Sequence, residues 1–455
     1  MTRQLELCEA AVRIALKLGA SEAEAAVMGG TAMTVEVERG EVNASSCVTD
    51  RGLSVRAIFQ GRIGFAYANR LTLQQASDVA TLACRAAKAS PPDEKWSSLP
   101  EPGRVPSVQG TFDQAIARVT ADEMVEIVMT MTDSAARFDS RVLPAFGGAS
   151  VVTRELAIAN SRGIAVEDAG TVFTQSLGAM ARSGSIVSPL CSEIELSRRF
   201  EPRSERVGLE AAKLAVSCLN IGPTEPGTFP VLFDQRALQD LLAFTFVPSV
   251  RGDMVQRGRS AYADKLGELV ASEKLNILDD GILPYGLLSL RVDMEGVPRG
   301  RTPVIVRGEL RSFLYDNYWA KIGGRESTGN AMRGGGPLRS PPYATTPRIE
   351  PTNLVVEAGD QSEETLIKDV KNGYYVRDVQ GAHQSNPESG EFSVAAVPAF
   401  RIVGGEVRHA VRGAMVVGNT YDLVRRVRAL GKESRQVGFL VAPQVIVDDV
   451  RIVAA

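Results

Sequence analysis

Two stretches rich in proline and glycine set the firmest limit on how this chain can fold. Residues 90–110, "SPPDEKWSSLPEPGRVPSVQG", hold five prolines within 16 positions, and residues 220–230 read "NIGPTEPGTFP". Proline has no backbone N–H and clashes with the turn before it, so such segments read as breaks or boundaries between folded blocks. The chain therefore divides into residues 1–90, an α/β block; 91–119, a proline-rich linker; 120–219, a second mixed α/β block; and 220–455, a β-rich domain. Its 455 residues suffice for two or three domains around a large core.

Periodicity fills in these blocks. Leu7, Ala11, Ile14 and Leu18 follow helical spacing, which predicts a first helix ending near Gly19. "TVEVERGEV" (34–42) reads as a strand entering a turn, and residues 52–69 read as a hairpin about Gln60–Gly61. Thr72 is a cap for an Ala-rich helix to about Lys88, and Thr120-x-x-Glu123 is a capping box ahead of Met124, Ile127, Val128 and Met131. Strands with a turn at 160–163 and a helix over 205–218 complete the second block. The last block is strand-rich, with turns at Arg307–Gly308 and Gly404–Gly405 and helices over 235–246, 363–371 and 421–430. Regular strand–helix alternation is absent, which excludes a doubly wound nucleotide fold. The predicted class is α+β: mixed α/β N-terminal blocks, then a large antiparallel β-rich C-terminal domain.

Charge excludes further classes. Lys and Arg total 51 against 54 Asp and Glu, a net of −3, which gives no basis for a nucleic-acid or membrane surface. No run is long and apolar enough for a bilayer span, and charges scattered through the N-terminus are wrong for a signal peptide, so the expected location is cytoplasmic. The five cysteines (8, 47, 84, 191 and 218) include no C-x-x-C and read as buried small hydrophobes.

Histidine is the scarcest chemical resource. His383 and His409 are the two in the chain, too far apart for H-E-x-x-H on one helix, and no G-x-S-x-G elbow accompanies them. His383 lies in a polar loop, and His409 on a predicted strand in a packing role. Asp279, Asp280, Asp293 and Glu295 are the carboxylates that could bind Mg²⁺ or share a proton, although Asp-Asp-Gly and x-Glu-Gly are also ordinary turn chemistry. "GRESTGNAMRGGG" (324–336) has the glycine spacing of a phosphate loop, but Asn330 stands where the lysine belongs and no helix can follow "GGGPLRSPPY". What remains is a glycine loop with Arg325, Arg333 and Arg339 around Ser327, Thr328 and Asn330; it reads equally as a solvated connection or, over Arg325–Arg333, as a surface for a peptide or protein partner.

The ordered motifs resemble the TldD/PmbA family. "SFLYDNYWAKIGGRESTGNAMR" is similar to its Y-x-A-[RK]-x-x-G segment running into S-T-G-N, and "VDMEG", "PTNL", "NGYYV", "GEFS", "IVGGE" and "APQVIV" follow in the family's order. The resemblance covers essentially the full chain. It implies a heterodimeric zinc peptidase acting on unfolded or leader-bearing peptides, including antitoxins and microcin-type precursors. Its TldD-type subunit carries H-E-x-x-x-H and a later cysteine as zinc ligands. The corresponding helix, "FDQRALQDLLAF" (233–244), has no histidine, and no cysteine follows Cys218. The chain thus resembles the TldE (PmbA) side: no catalytic residue, no metal ligand or cofactor of its own, and zinc in a TldD-type partner. Its expected partners are that subunit or a second copy of itself, plus the peptide substrate. The rival readings are a stand-alone homodimeric binding scaffold and a carboxylate-dependent hydrolase.

Overall fold

The computed structural model describes residues 3–335 and 340–454; Gly336 and Arg339 of the glycine-loop segment lie outside them. The N-terminal half is organised by unusually long strands: Glu22–Glu38 (β1), Glu41–Phe59 (β2), Arg62–Ala68 (β3), Val142–Asn160 (β4) and Ala165–Ser183 (β5). They run antiparallel in the order β3-β2-β1-β4-β5. Two-residue turns ending in glycine connect the first hairpins. Arg39–Gly40 and Gln60–Gly61 all have positive φ, matching the twist of the strands they join.

Helices cover one face of this sheet at its two ends. Arg3–Lys17 (α1) and Leu73–Ala89 (α2) pack Leu7, Ala11, Val79 and Ala83 against Val27, Leu53, Val55 and Ala157. After the short helix Gln114–Arg118 (α3), Ala121–Phe138 (α4) and Ser204–Ser217 (α5) pack Met124, Met131, Val207 and Ala211 against Val35, Val151, Phe173 and Leu177. Thr72 caps α2, and Thr120 with Glu123 forms a full capping box on α4. The central strand β1 joins both blocks, pairing with β2 on one side and β4 on the other, with Glu24 opposite Asn160.

The C-terminal part holds two larger sheets and a two-stranded one that pairs Ala331–Met332 with Arg348–Ile349. Strand Gly227–Phe233 lies between Val445–Ala454 and Gly373–Val376, and strand Ile277–Asp280 lies between Arg301–Val306 and Leu354–Val356. Phe233, Phe246, Tyr262, Tyr374 and Leu440 form its core. The class is α+β. The C-terminal sheets are mostly antiparallel but include parallel pairings, as between Gly373–Val376 and Gly227–Phe233.

The helix expected over 421–430 stops at Arg425. Val427, Ala429 and Leu430 pair with Val447, Ile446 and Val445 and are buried, so strand pairing overrides the helical pattern there. No helix among the described residues is long and apolar enough to cross a membrane.

Candidate functional site

The glycine loop and the carboxylates, separate features in the sequence, meet in one buried polar network. Thr328 accepts the Tyr315 N–H on Oγ1 at 2.7 Å and donates to Asn330 Oδ1 at 2.6 Å. Asn330 Nδ2 donates to Asp279 Oδ2 at 2.7 Å, and Thr352 supplies Asp279 with two more donors, at 2.7 and 2.8 Å. Gly329 is held at φ +74°, and a Cβ there would stand 2.9 Å from the Pro298 carbonyl oxygen, so only glycine closes this turn.

Asp293 and Glu295 lie in a turn, where a strand would have aimed both at one face. Asp293 Oδ1 accepts the N–H groups of Glu295 and Val297, at 2.9 and 3.0 Å, and Oδ2 accepts that of Ala331 at 3.1 Å. Glu295 receives Arg56 at 2.8 Å and the Asn317 N–H at 3.0 Å, so it also supports the helix Asn317–Ile322. Arg56 reaches on to Glu24 at 2.9 Å, its direct cross-strand neighbour, and Glu24 is shared with Arg333. Guanidinium and carboxylate thus alternate along Arg333–Glu24–Arg56–Glu295, and all four side chains are buried. Asp280 is held by Arg301 at 3.0 Å. Each of these carboxylates is occupied by the chain's own donors.

Burial, together with the Glu295 charge, pushes Asp293 and Asp316 up to about 7. Between about pH 4 and 7 the folded state therefore binds more protons than the unfolded one. The contribution of these groups to stability falls as pH rises through that window. Asp316→Asn keeps a side-chain oxygen for the Trp319 N–H it caps at 2.9 Å. The variant is expected to be more stable than the parent at pH 8, on the order of 2 kcal/mol, with the gap shrinking toward pH 5. Urea titrations across that range measure it, and a pH-independent gap would refute the assignment.

The five loop residues that lie among the described residues divide by direction. Asn330 and Arg333 are buried with their donors engaged inside the chain, Arg333 on Glu24 and on Met294 O at 3.1 Å. Ser327 and Thr328 are half-buried and Arg325 is exposed. Arg325 and Thr328 rim a cleft of about 290 Å³ whose walls include Val255, Gln256, Leu266, Phe313 and Tyr315. Sequence reasoning missed Glu24 and Arg56. The available signal was a charged residue inside an otherwise apolar strand, as in "SVRAIF".

The remaining predicted positions lie elsewhere. Exposed His383, in the turn Ala382–Gln384, has its ring 6.4 Å from that of Phe244. His409 is half-buried on strand Glu406–Val411, opposite Arg401. The helix that resemblance aligns with a zinc motif is Gln235–Phe244 (α6), capped by Asp234. It offers Gln235, Arg236, Gln239 and Asp240 as polar groups, and Arg236 is committed to Asp378 at 2.6 Å and to Ser192. A fixed guanidinium repels a dication, and among the described residues no three His, Cys, Asp or Glu side chains converge to hold one. This donor set does not fit zinc.

With this geometry in place, three family models account for nearly the whole chain. Residues 23–90 match PmbA/TldA metallopeptidase domain 1, 115–219 the central domain, and 226–454 the C-terminal domain. The chain belongs to the PmbA/TldA (TldD) metallopeptidase family. The crystal structure of TldE from Thermococcus kodakarensis superposes with a TM-score of 0.92 at 30% identity, covering 99% of this chain and 100% of that one. An uncharacterized protein of Methanocaldococcus jannaschii is 28% identical over 91% of this chain and 92% of its own length. Metalloprotease PmbA of Escherichia coli O157:H7 is 25% identical over 94% and 92%.

Proposed function

We propose that this chain is the non-catalytic, TldE (PmbA)-type subunit of a cytoplasmic two-subunit zinc peptidase that acts on unfolded or leader-bearing peptides. The observation that carries the reading is α6: its polar positions hold Gln235, Arg236, Gln239 and Asp240, with Arg236 paired to Asp378, where a zinc subunit needs imidazoles. The likeness to TldE of Thermococcus kodakarensis supports the same side of the pair. Zinc then belongs to a TldD-type partner carrying H-E-x-x-x-H. In this arrangement Arg325, Ser327 and Thr328 offer the outward face of the glycine loop to peptide or partner, while Asn330 and Arg333 hold that loop to the core.

Co-expression with a TldD-type subunit, followed by size-exclusion chromatography, metal analysis and peptidase assay, tests the proposal. The expected result is one co-eluting complex in which zinc follows the partner and cleavage of an unfolded peptide requires both chains. Stoichiometric zinc and peptidase activity from this chain alone would overturn it. A homodimer that ignores such a partner would instead mark a stand-alone scaffold.

A further inference from the structure

Cys191 opens strand Cys191–Ser197, and Cys218 ends α5, against the same cluster of core side chains. Their sulfurs lie 3.7 Å apart, with the Cys191 thiol donating to Cys218. A cavity of about 350 Å³, lined in part by Ser188, Cys218, Ile221, Pro398 and Arg412, reaches this position. The other cysteines are placed differently. Cys8 donates to Ala157 O and Cys84 to Ala15 O, both buried, and Cys47 is exposed on β2.

We propose that Cys191 and Cys218 are an oxidative modification site, a thiol pair that a small peroxide converts to a disulfide. The two sulfurs have distinct roles. The hydrogen bond from Cys191, reinforced by Ser217, holds the Cys218 thiol below its ordinary range, whereas its part in the same bond, together with burial, pushes Cys191 up. Cys218 is therefore the attacking group and Cys191 the resolving one. The Cys218 thiolate attacks one peroxide oxygen, the S–O bond forms as the O–O bond breaks, and the departing hydroxide leaves as water with the thiol's proton. The Cys191 sulfur then displaces the hydroxyl of the sulfenic acid, its own proton leaving with that hydroxyl as a second water. Two thiols and one hydrogen peroxide yield one disulfide and two waters. The bond forms beside a joint of the molecule: neighbouring Ser192 holds Arg236 of α6, and Glu193 holds Arg435 at 2.6 Å.

The test uses the full chain carrying Cys47→Ser, which removes the exposed thiol and leaves four. After hydrogen peroxide, the thiols counted in denaturant are expected to fall from four to two. The intact mass drops by two hydrogens, and a proteolytic map joins the segments holding Cys191 and Cys218. Dithiothreitol restores both thiols. In the Cys191→Ser variant, Cys218 stops at a sulfenic acid that dimedone traps. Four thiols surviving a peroxide dose that oxidises Cys47 of the parent would overturn the proposal. So would a map joining any other pair, and both readings come from the Cys47→Ser chain with its buried thiols intact.

Discussion

Arg56→Met is expected to cost about 3–5 kcal/mol of folding free energy, because it strips the shared cation from Glu24 and Glu295 while both stay buried. Arg333 continues to face Glu24, so the uncompensated charge falls mainly on Glu295, whose remaining bond is the Asn317 N–H. The loss should therefore shrink in the double variant Arg56→Met/Glu295→Gln, which removes cation and anion together. Urea unfolding of parent, single and double variants measures this. As a control, Arg39→Met at an exposed turn should change stability by no more than about 0.5 kcal/mol. An Arg56→Met chain as stable as that control would refute the role of the network.

The second large effect belongs to Arg198, whose guanidinium is buried among backbone carbonyls. Nε donates to Gly286 O at 3.2 Å, Nη1 to Thr111 O and Thr171 O at 2.8 and 3.0 Å, and Nη2 to Leu287 O and Ser289 O at 2.6 and 3.0 Å. One planar fork ties the N-terminal sheet and the segment before α3 to the turn at 286–289. Arg198→Met leaves five carbonyls short of a donor and is expected to cost at least about 3 kcal/mol. Arg198→Lys should recover less than half of the loss, since an ammonium has three donors and no fixed fork. Hydrogen exchange at residues 286–289 should accelerate in both variants. Full recovery with lysine would show that charge matters there and geometry does not.

Local features were legible in the sequence because local chemistry decides them. Thr72, the Thr120–Glu123 box and the Gln60–Gly61 and Arg307–Gly308 turns follow from a few adjacent residues, and all occur as expected. Long-range placement was not legible. Leu53, Val55 and Ala57 alternate with Ser54 and Arg56, which by itself describes a strand with one solvated face. The C-terminal domain covers that face, so Arg56 and Glu24 are core residues. Nothing within the first 60 residues announces Glu295 as their partner.

The glycine loop shows the same limit from the other side. Its motif identified a family, but Asn330 is defined by Asp279 and Arg333 by Glu24, far away in sequence. The helix reading of 421–430 failed for a related reason. Val427, Ala429 and Leu430 fit a helical stripe as readily as a strand, and the last strand of the chain decides between them.

The central position of β1 has a bearing on how the protein is made. The first β4 partner of β1 is Phe146, opposite Glu38, so about 87 residues beyond the end of β2 at Phe59 must be synthesised before that edge of the strand begins to close. At ordinary translation rates the delay is on the order of ten seconds. Through that interval the nascent chain holds a finished hairpin, β1 with β2, whose inner edge is an unpaired row of backbone donors and acceptors. Folding on the ribosome therefore passes through a state open to strand addition by the wrong segment, and the proline-rich stretch after α2 occupies part of the wait. Its five prolines have no N–H to give that edge, which works against premature closure by this stretch.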